Sequence, residues 1–240
     1  MLALREAGIP IGGFKYPIQI FNEHGVKMDG GYMHAPNPKT YQDNPTGFWE
    51  YSSVMADGLQ RQHTDYDGEV VKVLTKSLTK CHHDLVKNVI VIMRHPRKVL
   101  SSRIKCGELS ADNTDMIKLH ALSYLNNMVL GFYWLRNTMK SFKLVVYEEL
   151  LSDPEKVLCD LCDWLERGSH EWGAQAVKRE LNRSPGIDLV DPILDELEEF
   201  YYRFVNRDIE AFYKYDMKDF ERRLTAMYAD MAKKNNVGKS

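Results

Sequence analysis

Residues 88–102, Asn-Val-Ile-Val-Ile-Met-Arg-His-Pro-Arg-Lys-Val-Leu-Ser-Ser, constrain the fold more than any other stretch. Val89 to Met93 form an unbroken apolar, β-rich run between polar residues. Such a run suits a strand buried on both faces, as in a parallel sheet covered by helices. Arg94 then falls at the strand's end, and Pro96 presets the backbone for the first turn of a helix. Open parallel sheets bind ligands at the carboxyl ends of their strands. Arg94 is therefore expected in that crevice, beside a helix N-terminus whose N–H groups and dipole favour an anion. Its planar fork of donors suits a phosphate better than a lysine would. Ser101 and Ser102 follow about two turns into the helix, within reach of the same ligand. The stretch reads as a phosphate site.

A second strand-to-helix passage lies downstream. Phe142 to Tyr147 reads as a strand, followed by Glu148-Glu149-Leu150 and then Ser152-Asp153-Pro154. Asp153 is placed to cap the next helix and Pro154 to occupy its first position. Within that helix Val157, Leu158, Leu161, Trp164 and Leu165 recur at helical spacing. Between the two passages, a long helix reaching about Lys140 carries a broad apolar face: Leu119, Leu122, Leu125, Met128, Val129, Phe132 and Leu135. Glu69 to Leu74 reads as a further strand. Strands alternating with helices predict an α/β three-layer fold around a central parallel sheet, as a single domain over residues 1–240 with a helical part over 170–233.

The two passages together carry a resemblance. Arg94-His95-Pro96 through Ser102 resembles the Arg-x-Pro-x-x-x-x-x-Ser segment of sulfotransferases that use 3′-phosphoadenosine 5′-phosphosulfate (PAPS). In that family the arginine and serine hold the donor's 3′-phosphate, so the resemblance gives Arg94 and Ser102 that role. Tyr147-Glu148-Glu149-Leu150, followed by Asp153-Pro154 and a helix ending Trp164-Leu165, resembles the family's Tyr-Glu-Asp-Leu segment. There the tyrosine contacts the adenosine part of the cofactor, and Tyr147 inherits that contact by position. A strand-end tyrosine anchoring the sheet is the plainer reading, and both can hold together. Glu148 is expected to support local structure.

The resemblance spans Met1 to Arg167 and implies a P-loop-like sulfotransferase fold. It also implies transfer of a sulfuryl group from PAPS to a hydroxyl or amine of a small-molecule or glycan acceptor, in line and without a metal. In one family branch a Lys-Thr-His text supplies a sulfate-contacting lysine and a catalytic histidine. Lys72 matches the lysine, but Val73 and Leu74 follow it. Asn44-Pro45-Thr46-Gly47-Phe48-Trp49-Glu50 resembles the approach to the acceptor site in bacterial members, which makes Glu50 the candidate general base and His34 a weaker one. The plain alternatives are a solvated strand-end lysine and a glutamate favoured in the first turn of a helix over residues 50–62.

Met1 to Pro10 reads as the second half of a helix stopped by Gly8, with Pro10 beyond. In the family a similar Ala-Gly-x-Pro helix follows a Ser-Gly-Thr-type loop that wraps the 5′-phosphosulfate. These residues contain no such loop, so we expect either a missing N-terminus or a natural form with half the donor site. A non-catalytic, sulfotransferase-like binding or interaction protein is the competing expectation. A P-loop kinase is disfavoured, because no Gly-Lys-Ser/Thr turn precedes a helix within these residues, Gly238-Lys239-Ser240 standing last among them.

The remaining sequence sets bounds. Residues 11–46 are rich in glycine, proline and asparagine and read as loop, apart from a short strand near Tyr16 to Phe21. At 240 residues and 44% hydrophobic, the chain can bury a sizeable core. A net charge of −2 implies no field for polyanions and argues against nucleic acid. No run is long enough to span a membrane. Four cysteines without framework density favour a reducing, cytoplasmic compartment. Cys81-His82-His83-Asp84 lacks a second ligand pair at zinc spacing and reads as a polar loop or helix start, and Cys159-x-x-Cys162 reads as packed core. Asp191 to Tyr215 and Lys218 to Lys233 read as two helices. The apolar, aromatic face of the first packs on the domain, with a homodimer contact as the alternative. Arg183 only loosely matches a late donor-binding arginine of the family.

Overall fold

The computed structural model describes residues 2–10, 21–22, 25–26, 58–60, 68, 70–105, 107–177 and 185–237. Helix α1 (Leu2–Glu6) ends where Gly8 adopts a positive φ of 80°, the glycine stop expected from the sequence. Phe21–Asn22 (β1) and Gly25–Val26 (β2) form a short antiparallel hairpin. A four-residue helix α2 (Thr75–Leu78) and a 3₁₀ turn (His83–Leu85) lead to β3 (Asn88–Met93). Then come α3 (Pro96–Lys105), the long α4 (Thr114–Thr138), β4 (Ser141–Val146), α5 (Tyr147–Ser152), α6 (Pro154–Leu165) and α7 (His170–Gln175). The chain closes with α8 (Pro192–Val205), a second 3₁₀ turn (Ile209–Lys214) and α9 (Met217–Val237).

Strands β3 and β4 pair in parallel, from Asn88 opposite Ser141 to Met93 opposite Val146. The register decides what each face sees. Val89, Val91 and Met93 share one face with Phe142, Leu144 and Val146, and all six join the main core. Ile90 points the other way, into a second cluster with Leu4, Ile9, Leu158 and Leu161. Helices thus cover both faces of a parallel pair, an α/β arrangement. The cover is incomplete, however. Ile92 is 51% exposed, so β3 is not buried on both faces along its whole length.

Helix α4 is the centre of the main core. Its expected apolar face is buried in full, from Leu119 to Leu135. The ring of Phe132 lies 4.3 Å from that of Phe212, which in turn lies 4.5 Å from Phe200. Side-chain caps set the helix starts: Asn113 accepts from the Met116 N–H at 3.0 Å and Asp191 from the Ile193 N–H at 2.9 Å. Asp153 caps α6 with Pro154 following, as read from the sequence.

Two expected elements differ. Of the strand expected over Glu69 to Leu74, the described residues 70–74 form no strand: Val70 makes an isolated bridge, its N–H donating to the Pro10 carbonyl at 2.9 Å, and 71–74 are irregular. Val71 and Val73 instead pack with Leu59, Cys81 and Leu85 in a small side cluster. Their alternation reflects side-chain packing without a ladder partner among the described residues. Asp191 to Tyr215 is not one helix either. It breaks after Val205, where Arg207 takes a φ of 61°, before the 3₁₀ turn resumes.

Candidate functional site

Because Met93 pairs with Val146, the residues that follow them leave the sheet side by side. Those residues are Arg94 and Tyr147. The Arg94 guanidinium carbon lies over the Tyr147 ring, 5.2 Å from its centre. Such a stacked cation is attracted by the ring's negative face. Both side chains are half-buried at the carboxyl end of the parallel pair. Ser101 and Ser102 are half-buried on α3, whose first residue is Pro96.

The next residue on each chain segment completes a cross-link. Glu148 receives the backbone N–H of His95 on both carboxylate oxygens, at 3.1 and 3.3 Å. Tyr201, from α8, donates its hydroxyl to Glu148 Oε2 at 2.9 Å. The His95 ring lies 5.0 Å from the Tyr201 ring, and its Nε2 lies 3.2 Å from Glu198 Oε1. Burial lowers the His95 pKa from its ordinary 6.5, with Lys98 and Arg97 adding to the effect and the Glu198 and Glu148 carboxylates opposing it. In the neutral ring the proton sits on Nε2, because the Glu198 carboxylate oxygen facing it can only accept. Burial and the bond to Glu148 hold the Tyr201 hydroxyl well above the usual phenol range.

Arg97 is held on the same side. Its guanidinium reaches Glu198 at 2.9 Å, Asp195 at 3.2 Å and the Leu189 carbonyl at 2.5 Å. These bonds tie the start of α3 to α8 and the segment before it. A cleft of about 380 Å³ opens there, lined by His95, Arg97, Lys98 and residues 185–188, but not by Arg94 or Tyr147.

The structure therefore brings together Arg94 and Tyr147, with Ser102 further along α3. Lys72 is half-buried in the irregular stretch before α2, and no strand carries it. Glu50, His34 and Arg183 lie outside the described residues. The anchoring trio Glu148, His95 and Tyr201 was not read from sequence as part of the site. A signal was present: His95 and Glu148 each follow the motif residue that leaves a strand, and parallel neighbours put such positions together.

His82, His83 and Asp84 bring two imidazoles and a carboxylate within 4.8 Å of one another. Asp84 already faces both rings, 3.5 Å from His82 Nδ1 and 3.0 Å from His83 Nε2, at the start of a 3₁₀ turn. Cys162 is buried beside Leu158 and Leu161, and burial raises both its thiol and that of Cys159. Raised thiols of this kind are poor nucleophiles. Among the described residues, no helix is long and apolar enough to cross a membrane. Comparisons with protein-family models, with curated proteins and with solved structures found no match to this chain.

Proposed function

We propose that this chain binds an adenosine nucleotide bearing a 3′-phosphate and that it is a sulfotransferase of the PAPS-dependent type, with the P-loop-like fold of that family. The observation that carries the reading is the stacking of Arg94 on Tyr147. Two motifs far apart in sequence, each resembling a donor-binding segment, end adjacent parallel strands and meet. Arg94 supplies a fixed positive charge, with Ser102 on the helix that follows it, and Tyr147 an aromatic ring for the adenosine side.

In the proposed reaction, an acceptor hydroxyl or amine attacks the sulfur of PAPS. A new bond forms from acceptor oxygen or nitrogen to sulfur, while the bond from sulfur to the 5′-phosphate oxygen breaks. 3′-Phosphoadenosine 5′-phosphate leaves, and the acceptor's proton passes to a base, for which Glu50 is the candidate. Lys72 is proposed to face the moving sulfuryl group. The protein's contribution is positioning and charge stabilisation.

Calorimetric titration with 3′-phosphoadenosine 5′-phosphate, beside an Arg94→Ala variant, tests the reading. Binding that falls at least about tenfold in the variant supports it. Absence of binding, or binding indifferent to Arg94→Ala, overturns it. Where binding holds, sulfuryl transfer to phenol, amine and sugar acceptors separates an enzyme from a binding protein.

A further inference from the structure

The start of α3 differs from an open anion-binding helix end. Pro96 has no N–H to offer. The N–H groups of Lys98 and Val99 both turn back to the His95 carbonyl, at 3.0 and 3.1 Å. The His95 N–H is given to Glu148. A carboxylate of the protein's own thus occupies the place where the dipole would favour an external anion. Attraction for a phosphate then falls on Arg94, whose direction matters correspondingly more.

Arg94 is joined through one peptide bond to the residue that Glu148 grips, and Tyr147 through one peptide bond to Glu148 itself. The carboxylate therefore closes a short bridge between the two strand ends, just beyond the stacked pair. Loss of the bridge frees the peptide after Arg94 while leaving the β3–β4 ladder intact. Tyr201 fixes the carboxylate from a third direction, on an element outside the sheet. Its ring is buried, so this hydroxyl has little freedom to leave.

We propose that Glu148 is a positioning residue for nucleotide binding: it holds the His95 amide so that Arg94 stays over Tyr147, and Tyr201 on α8 keeps the carboxylate in place. The inference rests on the reading of Arg94 and Tyr147 as nucleotide contacts. It adds that a helix of the C-terminal part, through the Tyr201 hydroxyl, helps to set the geometry at the ends of the parallel strands. Glu148 need not touch the ligand.

The test uses the full chain with Glu148→Ala, Glu148→Gln, Tyr201→Phe and, as a stability control, Leu158→Ala in the opposite helical layer. The glutamine carbonyl still accepts the His95 N–H, whereas alanine cannot. Affinity for 3′-phosphoadenosine 5′-phosphate is measured by calorimetry well below each variant's melting temperature, and His95 amide exchange by NMR. Glu148→Ala should weaken binding about tenfold and speed His95 exchange, Glu148→Gln should restore most of both, and Tyr201→Phe should fall between. Leu158→Ala should lower the melting temperature yet bind as wild type. Wild-type affinity in Glu148→Ala, or an equal loss in Leu158→Ala, overturns the inference while leaving the nucleotide reading standing. If Glu148→Ala does not fold, unchanged affinity and exchange in Tyr201→Phe overturn it instead. A wild-type chain that binds no nucleotide overturns both readings together.

Discussion

Arg94 and Tyr147 meet because their strands pair in parallel at equal height: the guanidinium rests 5.2 Å from the ring centre only one residue beyond the Met93–Val146 pair. The contact combines charge, a flat donor array and an aromatic face at a sheet's carboxyl edge. Each of these properties can be removed separately.

Arg94→Lys keeps the charge but loses the planar fork and its stacking. We expect affinity for 3′-phosphoadenosine 5′-phosphate to drop about tenfold, less than in Arg94→Ala. Tyr147→Phe keeps the ring and should bind nearly as wild type, whereas Tyr147→Ala removes a cation–ring attraction of about 0.5–1 kcal/mol and its contact area. Calorimetry on the three variants checks the order. Equal affinity of Arg94→Lys and wild type would show that the fork is unused.

Met139 ends α4 with a φ of 50° and is 91% exposed. A side chain in that left-handed conformation is strained and here gains no burial in return. Met139→Gly should therefore stabilise the chain, by about 0.5–1 kcal/mol after the added flexibility of the unfolded state is counted. Urea denaturation reads this directly. A lowered midpoint would mean that the exposed thioether does something the geometry does not reveal.

Phe132 touches Phe142, Phe200, Phe204 and Phe212 at ring distances from 4.3 to 6.4 Å. It joins α4 to β4 and to the C-terminal elements at once. Phe132→Ala should cost about 3–5 kcal/mol. Loss below about 1 kcal/mol in chemical denaturation would indicate that the surrounding rings collapse into the space.

Acid should weaken the fold as two histidines take up protons. Burial lowers the pKa of both His95 and His120 from 6.5, and Arg103 adds to the effect at His120 while Glu108 opposes it. Arg103 Nη1 donates to His120 Nδ1 at 3.0 Å, a bond that a protonated ring cannot accept. The unfolded chain therefore binds protons that the folded chain refuses. Stability is fully present above the ordinary histidine value and is lost as pH falls below it through the folded pKa. Denaturation midpoints at pH 7.5 and pH 5.5 should differ in that direction, and His120→Gln should flatten the difference. A midpoint rising on acidification would contradict the assignment.

Local chemistry made parts of this architecture readable in advance. Asp153-Pro154 announced α6 because the cap and the proline act within one turn, and the apolar period of α4 announced its buried face. Arg94 and Tyr147 were readable because each ends a strong β run. Long-range competition hid the rest. Val71 and Val73 alternate as strand residues do, yet they fill a side cluster and gain no ladder. The break at Arg207 depends on packing and a φ of 61°, and its bond to Glu149 spans two distant elements. Glu148 was expected to support local structure; the register that sets it beside His95 shows which bond it makes, one no local pattern could announce.

The parallel register has a consequence for how such a chain can vary. Arg94 and Tyr147 are held by paired strands, not by the length of polypeptide that joins them. Gly107, exposed and with open space around its Cβ position, sits in the bend between α3 and α4, away from both strand ends. Residues gained or lost at that bend change only the length of the excursion between the strands, and loop closure changes slowly with length. The spacing between the two motifs is thus free to drift in related sequences, while the spacing within each motif is not.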